Sequence, residues 1–176
     1  WSNIIAALQW AVDHGIQVTN NSYGSSSNPG TTVQQAFDNA HTAGIFHAAA
    51  AGNSGTCSGG GNNIGYPARY NSVVAVGATD QSDVRACFSS TGSDLELMAP
   101  GVNINSTKLG GGYVEYNGTS MASPHTAGTA GLLITAGIAD KNGDGRINDE
   151  IRTVLKNTAT DLGASGWDSL YGYGLI

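Results

Sequence analysis

Asn117-Gly118-Thr119-Ser120-Met121-Ala122-Ser123-Pro124-His125 decides how this chain is read, because it sets one hydroxyl where a glycine turn runs into a long apolar helix. The start of a helix leaves backbone N–H groups unpaired and carries the positive end of the macrodipole, so negative charge developing beside Ser120 is stabilised there. That position suits a nucleophile, and it also suits the ordinary role of a helix cap. The nucleophile elbow Gly-x-Ser-x-Gly is not met, since Ala122 stands where its second glycine belongs.

Working back from this stretch, helical and strand patterns alternate. Residues 3–14 place Ile4, Ile5, Leu8, Ala11 and Val12 on one stripe and stop at Gly15, which predicts an amphipathic helix. Ile16–Ser22 reads as a short strand before a loop over residues 25–30. Thr32–Ala43 repeats the helical spacing with Val33, Ala36, Phe37 and Ala40. Ile45–Ala50 has the continuous apolar character of a strand covered on both faces, as parallel strands are. Val73–Gly77 and Leu95–Gly101 predict further strands, and Val102–Tyr116 predicts a hairpin with Gly110-Gly111-Gly112 at its tip. The Ser120 helix runs to about Ala136, and a last helix spans about Asp149–Asn157. Such an order predicts α/β architecture in a single domain.

Composition narrows the function. Charged residues make up 11% of the chain and glycine 26 of its 176 residues, against roughly 25% and ~7% in ordinary soluble domains, so tight turns and small-residue packing are expected. A net charge of −6 without any basic run argues against a nucleic-acid or anionic-membrane partner. No apolar stretch approaches the ~20 residues a membrane-spanning helix needs. The two cysteines, Cys57 and Cys87, lie in Gly/Ser-rich surroundings without a CxxC pair or histidines at zinc-ligand spacing, which favours a disulfide over a metal site. If it forms, the compartment is oxidising.

Four segments in this order resemble those of the subtilisin-like serine proteases: Asn20-Asn21-Ser22-Tyr23-Gly24, Ala50-Ala51-Gly52-Asn53-Ser54-Gly55, Gly65-Tyr66-Pro67-Ala68 and the Ser120 motif. The resemblance covers nearly the whole chain. It implies a three-layer α/β fold with a mostly parallel central sheet flanked by helices, and a secreted, extracellular endopeptidase that forms an acyl-enzyme on Ser120. By the same resemblance the Asn53 amide donates to the tetrahedral oxyanion together with the backbone N–H of Ser120, and Thr119 adds a supporting hydroxyl. Ser22, Tyr23 and Gly24 would form an edge to which an extended peptide pairs, with Ala51, Gly52, Gly65, Tyr66, Pro67 and Ala68 as facing walls. These small, uncharged residues imply preference for a bulky apolar or aromatic side chain before the scissile bond. Tyr23 and Asn21 depart from the Leu and Met common in the family.

A serine nucleophile needs a base, normally a histidine oriented by an aspartate. His125 lies five residues along the same helix, about 140° around and ~7.5 Å along its axis, so it does not meet the Ser120 hydroxyl. His14 and His41 fall near helix ends and His47 falls in mid-strand. The family's catalytic Asp and His motifs precede the helix with which this chain begins. Residues 1–176 therefore resemble the C-terminal two thirds of a subtilisin-like domain, also clipped shortly after Ile176. On this reading the sheet lacks its N-terminal strands and exposes an open edge and apolar surface, and the chain alone folds poorly and is inactive. Its partners are the missing N-terminal segment and a peptide or protein substrate, and the complete domain is monomeric. A catalytically dead scaffold that binds peptides or a partner is the alternative from another class.

The stretch from Asp140 to Ile151 resembles the first half of an EF-hand or dockerin loop, with Asp140, Asn142, Asp144, Arg146 through its carbonyl, and Asn148 as candidate ligands of a structural calcium ion. Ile151 stands where the closing carboxylate belongs, and Glu150 comes one residue early. A weaker cation site, similar to one in the family, would use the Ala68, Tyr70 and Val73 carbonyls near Asp94. Sequons at Asn20, Asn105 and Asn117 are read as chance.

Overall fold

The computed structural model describes residues 1–176. Ten elements follow one another: α1 (Ser2–Asp13), β1 (Val18–Asn21), α2 (Thr31–Thr42), β2 (Phe46–Ala50), β3 (Val74–Thr79), β4 (Leu95–Pro100), β5 (Ile104–Thr107), β6 (Tyr113–Tyr116), α3 (Thr119–Thr135) and α4 (Asn148–Thr158). Strands β1 to β4 pair in chain order, all parallel, while β5 and β6 form a separate antiparallel hairpin. The connections from β1 to β2 and from β3 to β4 differ in kind. The first is helix α2, and the second is the turn-rich segment 80–94.

Two apolar layers sandwich this sheet, as parallel strands require. Ala49, Ala75, Leu95 and Met98 contribute to one core, shared with Leu8 and Ala11 of α1 and Val33, Phe37 and Ala40 of α2. Side chains alternate along a strand, and a bulge at Glu96, where Ala75 pairs Leu95 but Val76 pairs Leu97, lets Leu95 and Met98 share this side. Phe46, Ala48, Val74, Val76, Leu97 and Ala99 point to the other, shared with Ala122 and Ala130 of α3 and Ile151 and Leu155 of α4. The three-layer α/β fold expected from the sequence is thus present. Small residues let α3 lie close against the sheet: Ala122, Thr126 and Ala130, spaced by four, are buried along one stripe. Helix α4 is fixed to β4 by Arg152, whose guanidinium makes two 2.6 Å bonds to the buried Glu96 carboxylate.

The predicted elements are found with boundaries shifted by no more than two residues. Strand β1 pairs only with β2 and is one edge of the sheet, β4 being the other. Trp10 and Leu132 stand exposed among the large apolar side chains. No helix is long and apolar enough to cross a membrane.

Candidate active site

Gly118 lies outside α3 and Ser120 is its second helical residue. Pro124 follows four residues later, and because proline has no N–H, the carbonyl of Ser120 loses its intrahelical partner. The Ser22 hydroxyl takes that place, donating to the Ser120 carbonyl at 2.8 Å. In return the Ser120 hydroxyl donates to the Ser22 carbonyl, at a long 3.4 Å. The end of β1 and the start of α3 are therefore stitched together at the serine, a link that no local pattern in the sequence announces.

Asn53 is held from the other side. Its Oδ1 accepts the Thr119 N–H and the Thr119 hydroxyl, each at 3.0 Å. The hydroxyl oxygen of Thr119, fully buried, accepts the Gly52 N–H at 3.1 Å. With its oxygen so engaged, Asn53 keeps its amide N–H groups free beside the cleft it lines. Gly52 has φ +114°, a conformation other residues rarely adopt, and a Cβ there would come 2.9 Å from the Ser90 hydroxyl, so the turn that presents the Gly52 N–H to Thr119 calls for glycine.

The loop carrying Asn53 is pinned to the segment 85–91 at several points. The Ser90 N–H bonds the Gly52 carbonyl and the Gly55 N–H bonds the Phe88 carbonyl. Asn63 bridges Ser54 and Thr91 through its amide. Cys57 and Cys87 are joined in a disulfide, as the sequence favoured. Arg85, buried without a carboxylate partner, donates to the carbonyls of Thr56, Cys57, Ala86 and Ser89. Charge-assisted bonds to four carbonyls compensate its burial and fasten both sides of the disulfide.

Between these parts opens a cleft of about 290 Å³ without a charged residue in its walls. Ser22, Tyr23, Gly24, Gly52, Asn53, Gly65, Thr119 and Ser120 line it. Burial pushes the Tyr23 hydroxyl up to about 12, and it donates to Asn21 Oδ1 at 2.6 Å. A profile of the Subtilase family matches residues 2–174. The chain belongs to the subtilase family. It is 47% identical over 176 residues to subtilisin DY of Bacillus licheniformis, covering all of this chain and 60% of that protein. It is 45% identical over 175 residues to alkaline elastase YaB of Bacillus sp. (strain YaB), covering 99% and 42%. A solved lanthipeptide protease superposes with a TM-score of 0.86 at 26% identity, covering 99% of this chain and 64% of that one. The chain thus spans about 60% of the length of subtilisin DY.

Several expected walls of this subtilase cleft lie elsewhere. Ala51 is wholly buried in the core below β2, while Ala50 lines the cleft in its place. Tyr66 exchanges both main-chain bonds with Ser25 and turns its ring onto Tyr70. A Cβ on Gly24 would come 2.8 Å from the Tyr66 carbonyl, so the small size of Gly24 serves this internal contact. Pro67 is buried, and Ala68 faces a different cavity, beside Asp94 and Trp167. Ser25, Ser26, Ser54 and Asn63 complete the cleft and were missed, since polar residues in Gly/Ser-rich loops carry no pattern that separates a wall from a turn.

None of the four histidines bonds Ser120. His14 and His125 each turn Nδ1 to a carbonyl four residues back in their own helix, and His41 meets Asn148 and Asp149. His47 is buried, with Nδ1 2.6 Å from the Thr19 hydroxyl. Desolvation, then the charge of His41, lowers its pKa to about 3.

At the two candidate cation sites several polar side chains are already engaged with the protein. At the first, Arg146 sends its side chain to the Thr42 carbonyl, and the amide of Asn148 donates to the His41 carbonyl at 3.0 Å, so Asn148 is directed away from the loop toward α2. At the second, the Asp94 carboxylate accepts Arg69 Nε at 3.3 Å and Asn62 Nδ2 at 2.9 Å, so a cation is already in place. No three His, Cys, Asp or Glu side chains form a ready-made metal cluster.

Proposed function

We propose that this subtilase chain carries the nucleophile and oxyanion half of a serine endopeptidase site. Ser120 attacks the scissile carbonyl as a base takes its hydroxyl proton, the C–N bond then breaks with that proton passing to the leaving amine, and water hydrolyses the resulting acyl-enzyme. The developing oxyanion is held by the free Asn53 amide and the Ser120 N–H, with Thr119 fixing Asn53. The observation that carries this reading is the Asn53–Thr119–Ser120 arrangement, in which the Asn53 oxygen is doubly bonded at 3.0 Å and its N–H groups remain free beside the serine. Preorganised donors of this kind are worth most where charge appears only in the transition state.

The uncharged cleft supports broad cleavage after bulky apolar or aromatic residues. A peptide series varied at that position is expected to rank Phe and Leu far above Lys and Arg, and a strong preference for Lys or Arg would reject the assignment. The base is supplied by residues outside this chain, a reading supported by the absence of any histidine bonded to Ser120. Fluorophosphonate labelling is therefore expected to be negligible on residues 1–176 alone and to appear on Ser120 in the full-length protein. Efficient labelling of the chain alone would overturn the need for an outside base. Failure in both would favour the second reading, a peptide-binding scaffold, which the same lack of a base supports. Secretion to the extracellular space is proposed with the activity, and the disulfide supports it.

A further inference from the structure

The loop between α3 and α4 holds a feature that neither the sequence pattern nor the cleft accounts for. Glu150 is only 7% exposed, and its Oε2 is buried with no hydrogen-bond partner. Its Oε1 accepts the N–H groups of Lys141 and Asn142 at 3.2 and 3.3 Å, so the carboxylate is inserted against the second and third residues of the loop that starts at Asp140. No Lys or Arg nitrogen lies within ion-pair distance of it. A buried carboxylate oxygen without a donor is costly unless something positive completes it.

The surrounding oxygens have the character of a hard-cation site. Asp140 accepts the Gly143 and Gly145 N–H groups at 2.7 and 2.8 Å, and these bonds, that of Gly145 foremost, hold its carboxyl below the ordinary range. Asn142 and Asp144 each accept an N–H two residues on, at 3.0 and 2.9 Å. Every one of these acceptors keeps lone pairs that point away from its N–H donor. Arg146 carries its charge to the Thr42 carbonyl, and its Nε stays 4.0 Å from Asp144.

We propose that residues 140–150 bind one calcium ion, with Glu150 as the closing ligand in place of the residue at loop position twelve. Helix α4 starts at Asn148, so Glu150 lies in its first turn, where a carboxylate can face back toward the loop that precedes the helix. Asp140, Asn142, Asp144 and the carbonyl of Arg146 supply the other oxygens. Calcium takes six to eight oxygen ligands in flexible geometry, and water fills the remainder. Because the carboxylates are not already clustered, binding draws Asp140 and Asp144 toward Glu150, and calcium tolerates that adjustment better than magnesium does. The inference is independent of the peptidase reading.

Calorimetric titration of the full-length protein with calcium chloride tests it, with magnesium chloride as control. The wild type is expected to bind calcium on the order of 10⁻⁴ M, in the range of extracellular calcium modules. Both Glu150→Gln, which keeps the shape and the acceptor to Lys141 and Asn142, and Asp144→Asn, at an exposed position, are expected to weaken one binding event by at least tenfold. No calcium binding up to millimolar concentration, or affinity unchanged in Glu150→Gln, would overturn the proposal. If Glu150→Gln fails to fold by circular dichroism, the calcium-dependent shift in melting temperature of Asp144→Asn decides, and an undiminished shift there rejects the site.

Discussion

The Asn53–Thr119–Ser120 corner and the Asp140 loop are both built of short polar side chains bonded to backbone, yet they hold their geometry in opposite ways. At the corner the bonds join residues far apart in the chain: Asn53 to Thr119, Gly52 to Thr119, Ser22 to Ser120. Each rests on an element packed in the core, so position is over-determined. In the loop the bonds join Asp140, Asn142 and Asp144 to residues two to five positions on, at exposed sites. The corner is fixed by tertiary structure before any ligand arrives, whereas the loop holds a conformation whose completion depends on Glu150. The first arrangement suits stabilisation of a transition state, which tolerates little reorganisation. The second suits an ion, whose binding supplies the missing attraction.

Asn53→Asp puts the sharpest strain on this contrast. The substitution keeps an oxygen to accept the Thr119 bonds and removes the N–H groups, so the corner stays folded while its donor is lost. In the full-length protein kcat is expected to fall by at least about 10²–10³-fold with KM little changed, the magnitude known for losing the oxyanion asparagine of subtilisin, because the new carboxylate also repels the developing oxyanion. A loss confined to KM would mean that Asn53 positions substrate and does not stabilise charge.

Removing the disulfide asks whether the corner needs its outer fastening. Replacing Cys57 and Cys87 together by serine is expected to lower stability by about 3–4 kcal/mol, from the unfolded-chain entropy of a loop of this size. Arg85 keeps its four carbonyl bonds, so the folded loop should persist. The check is the denaturant midpoint together with kcat at a temperature where both proteins are folded. A large drop in kcat under those conditions would show that Arg85 does not hold the loop unaided.

The strand that leads into Asn53 provides a pH test. His47 is uncharged in the folded state down to about pH 3, because burial and then His41 oppose its charge, whereas in the unfolded chain it titrates near 6.5. Above pH 6.5 neither state takes up the proton and stability is level. Below it only the unfolded state does, so the His47 contribution falls by about 1.4 kcal/mol per pH unit until the folded value is reached. Urea midpoints at pH 7 and pH 5 are expected to separate accordingly, and His47→Leu is expected to flatten the slope. Equal slopes would place the acid sensitivity in the carboxylates.

The sequence carried the layers of this fold well, because helix stripes such as Val33, Ala36, Phe37 and Ala40 and apolar runs such as Phe46–Ala50 are local signals. It singled out Ser120 and Asn53 through the resemblance of whole motifs. The cleft walls were legible only in part: whether Ala50 or Ala51 faces the cleft depends on strand phase, and Tyr66 is turned inward by its pairing with Ser25. The loop pattern puts Glu150 one residue out of place, since linear spacing does not show that the first turn of α4 carries its carboxylate back against Lys141 and Asn142. The Ser22–Ser120 stitch was invisible, since its bonds span residues 98 apart.

That stitch gives the smallest expected effect and the most specific one. Pro124 deprives the Ser120 carbonyl of its helical partner, and the Ser22 hydroxyl alone replaces it. Ser22→Ala should therefore leave a part-buried acceptor short of a bond, at about 1 kcal/mol. Combining it with Pro124→Ala restores an N–H at position 124 and lets the helix satisfy its own carbonyl. The double variant is then expected to recover most of that loss in thermal unfolding, although proline within the first turns also restricts the unfolded chain and its removal carries its own small penalty. Comparing the Ser22→Ala effect with and without Pro124 separates these contributions. Equal effects in both backgrounds would mean that Ser22 acts on the start of α3 through packing and not through the carbonyl that proline sets free.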